Sequence, residues 1–327
     1  MDELRRAAKL LIDAPDVTLL GHVNPDADAF GSAVGLGLAL RGLGATVRVS
    51  FGAPDRVPES LRHLDPDGLY VPASEVPAVP PVLVAVDTGD IGRLGVLGDR
   101  PAATIAAGGQ VVVVDHHVTN TRYGTVNVVD AGAEATTVLI LALLDELGAS
   151  LTAPIASALY AGLLTDTGSF MRATPRTHEM AARLLTAGVD AQATARPLLD
   201  AHPFAWLRLL STVLGRAVLE PSAARGMGLV HTRVELAEAA TVRPEDVDRV
   251  IDLVRSTKEA EVSVVLKQVN TEEWTVSMRA VSRLDLSAAA RALGGGGHQL
   301  ASGFTARGSA AEVLDRLRTA LDEAPLL

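Results

Sequence analysis

The chain has no cysteine, no apolar run long enough to span a bilayer, and no surplus of positive charge. The first absence excludes disulfides, thiolate nucleophiles and zinc–cysteine sites, so any metal has to be held by His, Asp or Glu. The second, set against the roughly 20 apolar residues a membrane helix needs, points to a soluble cytoplasmic protein with no membrane partner. "MDELRRAAKLLIDA" reads as a short amphipathic helix rather than a signal peptide. The net charge is −10, and the acidity is local: residues 1–200 carry 23 acids against 14 bases, whereas 201–327 carry 16 against 15. A protein that tracks long nucleic acid presents a broad basic surface, so a small anionic ligand held by a few specific groups fits better. Two motifs are missing as well. "GSAVGLGLALRGLG" lacks the GxGxxG spacing of a dinucleotide-cofactor site, and no GK[ST] follows the glycine run "GGGG".

What is present is enough for two domains: 327 residues, 48% of them hydrophobic, with no low-complexity tract and no internal repeat. In the first part, short apolar strands at "VTLLGH", "TVRVSF", "PVLVAVD" and "QVVVVD" alternate with helices, one of them from about Ala29 to Leu43. That pattern predicts a parallel sheet with helices on both faces. Helices follow at "EATTVLILALLDELG", "PIASALYAGLLTD" and "RTHEMAARLLTAG". Beyond a helix after Pro203, strands at "GMGLVHTRV", "EVSVVLKQV" and "EWTVSMRAV" and helices at "PEDVDRVIDLVRS" and "AAEVLDRLRTALDE" predict a smaller mixed-sheet α/β domain. The expected division is 1–196, a linker with its helix over 197–225, and 226–327. Trp206, Leu207 and Leu210 near the linker could form a homodimer contact or serve as ordinary core.

Four stretches of the first part end apolar elements in titratable residues. "LLGHVNPDADAFGSA" carries His22, Asp26 and Asp28; "VLVAVDTGD" carries Asp87; "VVVVDHHVTN" carries Asp115, His116 and His117; "YAGLLTDTGSF" carries Asp166. A single strand-end aspartate usually caps a turn or helix, and a lone histidine is usually structural. Several at one end of a sheet are different, because ligands of open parallel sheets bind beyond the carboxyl ends of the strands. Carboxylates gathered there repel one another unless protons or cations neutralise them. A dinuclear centre resolves the repulsion, and oxygen and imidazole donors without thiolate favour Mn²⁺, with Mg²⁺, Co²⁺, Fe²⁺ or Zn²⁺ as alternatives.

In the second part, "GGGGHQLASGF" is either a flexible turn or a place where Gly295, Gly296 and Gly297 leave backbone amides open to a phosphate beside His298. Alternation in "WTVSMRAV" sets Thr275, Ser277 and Arg279 on one face, so Arg279 is a candidate phosphate clamp. Arg283 reads as a solvated surface residue, and His63, His178, His202 and His231 as structural.

Taken in order, "HVNPDADAFGS", "VAVDTGD", "VDHHVTN" and "GLLTDTGSF" resemble the four motifs of the Asp-His-His phosphoesterases, and "GGGGHQLASGF" resembles the glycine-rich motif of their associated C-terminal domain. The resemblance spans nearly the whole chain and is greatest to the branch of nanoRNases and phosphoadenosine-phosphate phosphatases, which includes cyclic di-AMP phosphodiesterases. It implies an active site in the cleft between two domains. It also implies that His22, Asp26 and Asp87 hold one metal and that Asp28, Asp87, His116 and Asp166 hold the other, with Asp87 as bridge. His117 would face the scissile phosphate, and Asp115 would orient the histidines. Arg279, the three glycines and His298 would bind substrate. Ala27 and Ser302 depart from the family pattern, where Gly and Ala are expected.

The activity so implied is hydrolysis of short RNA, linear or cyclic dinucleotides and 3′-phosphoadenosine 5′-phosphate (pAp), with hydroxide generated between two metals about 3.5–4 Å apart. Inorganic pyrophosphatase and a nucleotide sensor without catalysis are the competing readings.

Overall fold

The structure, a computed structural model, describes residues 2–327, and the chain divides after Ala201 into two units. In the first unit the elements run α1 (Asp2–Ile12), β1 (Asp16–Gly21), α2 (Ala27–Gly42), β2 (Thr46–Phe51), β3 (Val82–Val86), α3 (Arg100–Ala106), β4 (Gln110–Asp115) and β5 (Val126–Val129). Four helices complete it: α4 (Thr136–Leu147), α5 (Ala153–Asp166), α6 (Pro175–Thr186) and α7 (Ala191–Leu199). The five strands form one wholly parallel sheet in the order β2-β1-β3-β4-β5.

The apolar runs of these strands follow from burial on both faces. Val17, Leu19, Val84, Val86, Val112 and Val114 pack into the larger core under α1, α2, α4 and α5. Their neighbours Leu20, Leu83, Ala85, Val111 and Val113 point the other way, against Leu94 and Leu97. With no polar face to show, the strands read as continuous valine and leucine rather than as an alternation. The helical cover is unequal: one face carries four long helices, while the other is closed by α3 and 3₁₀ turns.

Glycines let α2 and α5 approach closely. A Cβ at Gly31 would sit 2.3 Å from the Ala158 carbonyl oxygen, and one at Gly162 would sit 2.7 Å from Asp28 Oδ1. The helices therefore run antiparallel, with the start of α2 against the end of α5. That contact brings Asp28 toward Asp166 across 138 positions of sequence.

The second unit, His202–Leu327, contains α8 (Phe204–Gly215), β6 (Val218–Glu220), the short turn α9 (Ala223–Gly226), β7 (Leu229–Val234), α10 (Leu236–Ala239) and α11 (Pro244–Val254). Next come β8 (Val262–Asn270), β9 (Glu273–Ala280), α12 (Leu286–Ala292), β10 (Gly296–His298), β11 (Ala301–Arg307) and α13 (Ala310–Glu323). Its sheet is mixed, in the order β10-β11-β9-β8-β7-β6, with β7 and β8 the parallel pair. Val262, Val264 and Leu266 of β8 face α12 and α13, whereas Val265 faces α8 and α11. Trp206 is core in this unit, packed with Leu209, Val213 and Val230, so it offers no surface for association; Leu207 stays exposed. No helix among the described residues is long and apolar enough to cross a membrane.

Candidate metal centre

Because β1, β3 and β4 are adjacent and parallel, their carboxyl ends open on one edge. His22 follows the last residue of β1, Asp87 follows the last residue of β3, and Asp115 ends β4 with His116 and His117 just beyond. The turn from β1 into α2 adds two acids. Asp26 is the N-cap of α2, its Oδ1 accepting from the amides of Asp28 and Ala29 at 3.1 and 3.0 Å, and Asp28 lies in the first turn. Asp166 arrives from the C-terminal end of α5.

These groups meet in two sets. His22 Nε2 lies 3.7 Å from Asp26 Oδ2 and 3.5 Å from Asp87 Oδ2. His116 Nε2 lies 3.5 Å from Asp87 Oδ1, 3.3 Å from Asp166 Oδ2 and 4.0 Å from Asp28 Oδ2. The two oxygens of Asp87 are thus divided, one to each histidine. Asp87 reaches this position in left-handed backbone, φ 53°, a conformation that costs a non-glycine residue about 1–3 kcal/mol.

Backbone partners set the orientation of both imidazoles. His22 Nδ1 is 2.8 Å from the Val23 carbonyl and His116 Nδ1 is 3.2 Å from that of Ala133. A carbonyl only accepts, so Nδ1 carries a hydrogen and each ring aims its Nε2 at carboxylate oxygens. Lone pairs facing lone pairs in a buried site require a cation or protons between them. Two imidazole nitrogens and four carboxylates, with no sulfur, form a donor set that fits first-row divalent ions such as Mn²⁺.

Without ions the strain shows in the acidities. Burial, with the Asp87 charge next to it, pushes Asp28 up to about 7, and burial beside Asp28 holds Asp166 well above the usual carboxylate range. Burial alone would lower His22; hydrogen bonds to Asp26 and Asp87 outweigh it and push the ring up to about 10. The same histidine holds Asp87 far below the ordinary value against the effect of burial.

His117 is set apart from His116. Its Nδ1 donates to Asp115 Oδ1 at 2.7 Å, and the other oxygen of Asp115 accepts from Asn120 Nδ2 at 2.6 Å. Asp115 is fully buried with both oxygens engaged within the loop. Burial would lower the His117 ring, but Asp115 and then Asp87 carry it above its usual value.

Sequence reasoning missed two residues here, Asn120 and Thr136. Asn120 also reaches the Thr88 carbonyl, at 3.3 Å, and so ties the β4 loop to the turn that holds Asp87. Thr136 donates its hydroxyl to Asp87 Oδ1 at 2.9 Å, while its amide and that of Thr137 donate to Asp28 at 2.6 and 2.9 Å. A signal existed for the latter: α4 opens on Ala135, a residue that cannot cap its own helix, so a cap from elsewhere was required.

In the second unit the glycine run is not a flexible turn. Gly296, Gly297 and His298 form β10 and pair with Gly303, Ser302 and Ala301 of β11. Gly295 donates its amide to the Ala290 carbonyl at 2.8 Å, and a Cβ there would lie 2.1 Å from the Gly303 oxygen. Close packing, rather than an amide offered to a ligand, explains the glycine at that position. Ser302 donates its hydroxyl to the His298 carbonyl at 2.6 Å, which fastens the hairpin. Register then aligns His298 with Ala301 and Ala301 with Arg279. Residues directly opposite share a face, so Arg279 and His298 stand on one side of the sheet, two strands or about 10 Å apart, with small Ala301 between them. The four other histidines have local partners: Thr194 for His63, Phe170 for His178, Asp246 for His202 and Glu220 for His231.

Residues 16–163 match the DHH family, N-terminal domain, and residues 227–324 match the DHHA1 domain. The bifunctional oligoribonuclease and PAP phosphatase NrnA of Thermus thermophilus is 35% identical, over 94% of this chain and 89% of that protein. Among solved structures, an exopolyphosphatase-related protein from Bacteroides fragilis superposes with a TM-score of 0.86 at 21% identity, covering 98% of this chain and 96% of the other. RecJ of Thermus thermophilus in complex with Mn²⁺ gives 0.59 at 18% identity, covering 100% of this chain and 55% of RecJ. The two domain matches in order, the near full-length relative and the acid–histidine edge of the parallel sheet agree: the chain belongs to the DHH family of phosphoesterases.

Proposed function

We propose that this chain is a Mn²⁺-dependent phosphodiesterase and phosphatase of short nucleotides, acting on oligoribonucleotides of a few residues, on pApA and cyclic di-AMP, and on the 3′-phosphate of pAp. The observation that carries the reading is the divided carboxylate of Asp87. His22, Asp26 and Asp87 would hold one ion, and Asp28, Asp87, His116 and Asp166 the other. Such a pair, when bound, supplies an acidified water and positive charge to stabilise the phosphoryl oxygens. The Thermus relative's oligoribonuclease and PAP phosphatase name supports the substrate class, and the Mn²⁺ in the RecJ complex supports the choice of metal.

The chain's own groups supply the rest. Asp115 fixes His117 with Nδ1–H toward the carboxylate, so that Nε2 is the atom to meet substrate. His117, whose affinity for a proton Asp115 and Asp87 raise, would give a proton from Nε2 to the leaving oxygen as the P–O bond to it breaks and a water oxygen bonds to phosphorus; the proton lost by that water passes to solvent, from which His117 is recharged. Arg279 and His298, a nucleotide's breadth apart on one sheet face, grip the phosphate and sugar that are not cleaved. Gly296, where an added Cβ would meet nothing within 4 Å, leaves room beside them. A binding surface of this size, in a chain of net charge −10, suits a dinucleotide better than a long strand.

The test is hydrolysis of pApA, cyclic di-AMP and pAp by the full chain with Mn²⁺, alongside inorganic pyrophosphate. Turnover of the nucleotides is expected. Turnover of pyrophosphate alone, or nucleotide binding without turnover, would replace the reading with pyrophosphatase or sensor.

A further inference from the structure

The segment Ala133–Thr137 touches three of the proposed ion ligands without being one itself. The Ala133 carbonyl accepts from His116 Nδ1 at 3.2 Å, the amides of Thr136 and Thr137 hold both oxygens of Asp28, and the Thr136 hydroxyl holds Asp87 Oδ1. These ligands come from β4, α2 and the end of β3, so one five-residue stretch sets the relative position of three separate elements. Asp28 in turn caps α4 from 108 residues away, doing what Ala135 cannot. The stretch is itself anchored from behind: Glu134 accepts from the hydroxyls of Thr174 and Thr177, at 2.7 and 2.6 Å, at the start of α6. Thr136 is fully buried, and its Oγ1 points at the Asp87 oxygen that also faces His116.

Resting on the metal-centre reading above, we infer that Thr136 is a positioning residue: its hydroxyl fixes the rotation of the Asp87 carboxylate so that the two oxygens stay divided between two ions. A carboxylate free to turn about its terminal bond would satisfy one ion with both oxygens and release the other. One donated hydrogen bond to Oδ1 blocks that rotation and still leaves Oδ1 a lone pair for an ion. Partners of this kind orient metal ligands, and losing one weakens affinity about 10–100-fold. The effect is directed at a single oxygen, so it depends on the hydroxyl and not on the volume of the side chain.

Mn²⁺ titration of the full chain, with unbound ion read by electron paramagnetic resonance and folding checked by circular dichroism, tests this directly. Thr136→Val keeps shape and removes the donor, Thr136→Ala removes the donor where valine prevents folding, and Thr136→Ser restores the donor. Wild type is expected to take up two ions; the valine and alanine variants are expected to hold the second at least about tenfold more weakly, and the serine variant to return close to wild type. Folded valine or alanine variants with wild-type affinity would overturn the role of Thr136 while leaving the centre intact, as would a folded serine variant that fails to recover. A wild-type chain that takes up no Mn²⁺ would overturn the centre and the role together.

Discussion

The two units assemble their chemistry in opposite ways. In the first, functional groups project from the ends of a parallel sheet, are mostly buried, and come from segments between positions 22 and 166. In the second, Arg279 and His298 stand on one face of the antiparallel part of a mixed sheet, half-buried, and register alone sets their spacing. An edge site gathers charge that cations or protons must neutralise, whereas a face site sets a distance between two groups. The first unit should therefore govern ion uptake and the chemical step, and the second should govern affinity for the nucleotide.

The largest effect that tests this division comes from Asp87. Asp87→Asn keeps a residue that tolerates left-handed backbone but removes the charge proposed to be shared between two ions, so pApA hydrolysis is expected to fall beyond about 10³-fold with uptake of fewer than two Mn²⁺. Near-normal turnover would end the edge-site account.

Next, the adjacent histidines should separate. His116→Ala is expected to lose an ion, whereas His117→Ala keeps both and slows kcat by about 10²–10⁴-fold, as for loss of a general acid. Equal loss of ions in both variants would show that they share one job.

A change in the second unit should look different. Arg279→Ala is expected to raise KM about 10–100-fold, with kcat and Mn²⁺ uptake little changed, because a charge-assisted contact to phosphate is lost away from the reacting atoms. A fall in kcat with KM unaltered would place Arg279 in the chemical step and blur the two roles.

The smallest effect is in pH. Asp28 and Asp166 bind protons more tightly when folded than when unfolded, so the stability they contribute is present at low pH and is lost as pH rises above the ordinary 3.8, for Asp28 through about 7. His22, raised to about 10, works in the same direction, its contribution fading as pH climbs toward that value. Ions bind the deprotonated groups and replace what is lost. The rise in Tm on adding Mn²⁺ should accordingly be larger at pH 8 than at pH 6; a rise independent of pH would mean that these acids do not hold the ions.

Much of this arrangement was legible in the sequence because apolar runs and titratable ends are local signals. Val111–Val114 followed by Asp115, His116 and His117 announces both a buried strand and what it delivers. The parallel sheet and the mixed sheet follow from the same alternation of runs. Less visible were elements too short to carry a period, such as β5 and β10, which are 4 and 3 residues long. Least visible were interactions between distant positions. Ala135 signals that its helix needs a cap from elsewhere but does not point to Asp28, and nothing in "GGGG" says which glycines a neighbouring backbone requires.

The left-handed backbone at Asp87 bears on how such an enzyme could decay. Glycine occupies that conformation without steric cost and asparagine about as readily as aspartate, while alanine and glutamate fit it less well. A descendant relieved of selection for cutting would thus drift first to Gly or Asn at this position, shedding charge while keeping the fold. A gene of this lineage with either residue at position 87 and an intact hairpin around His298 would record the passage from hydrolase to receptor.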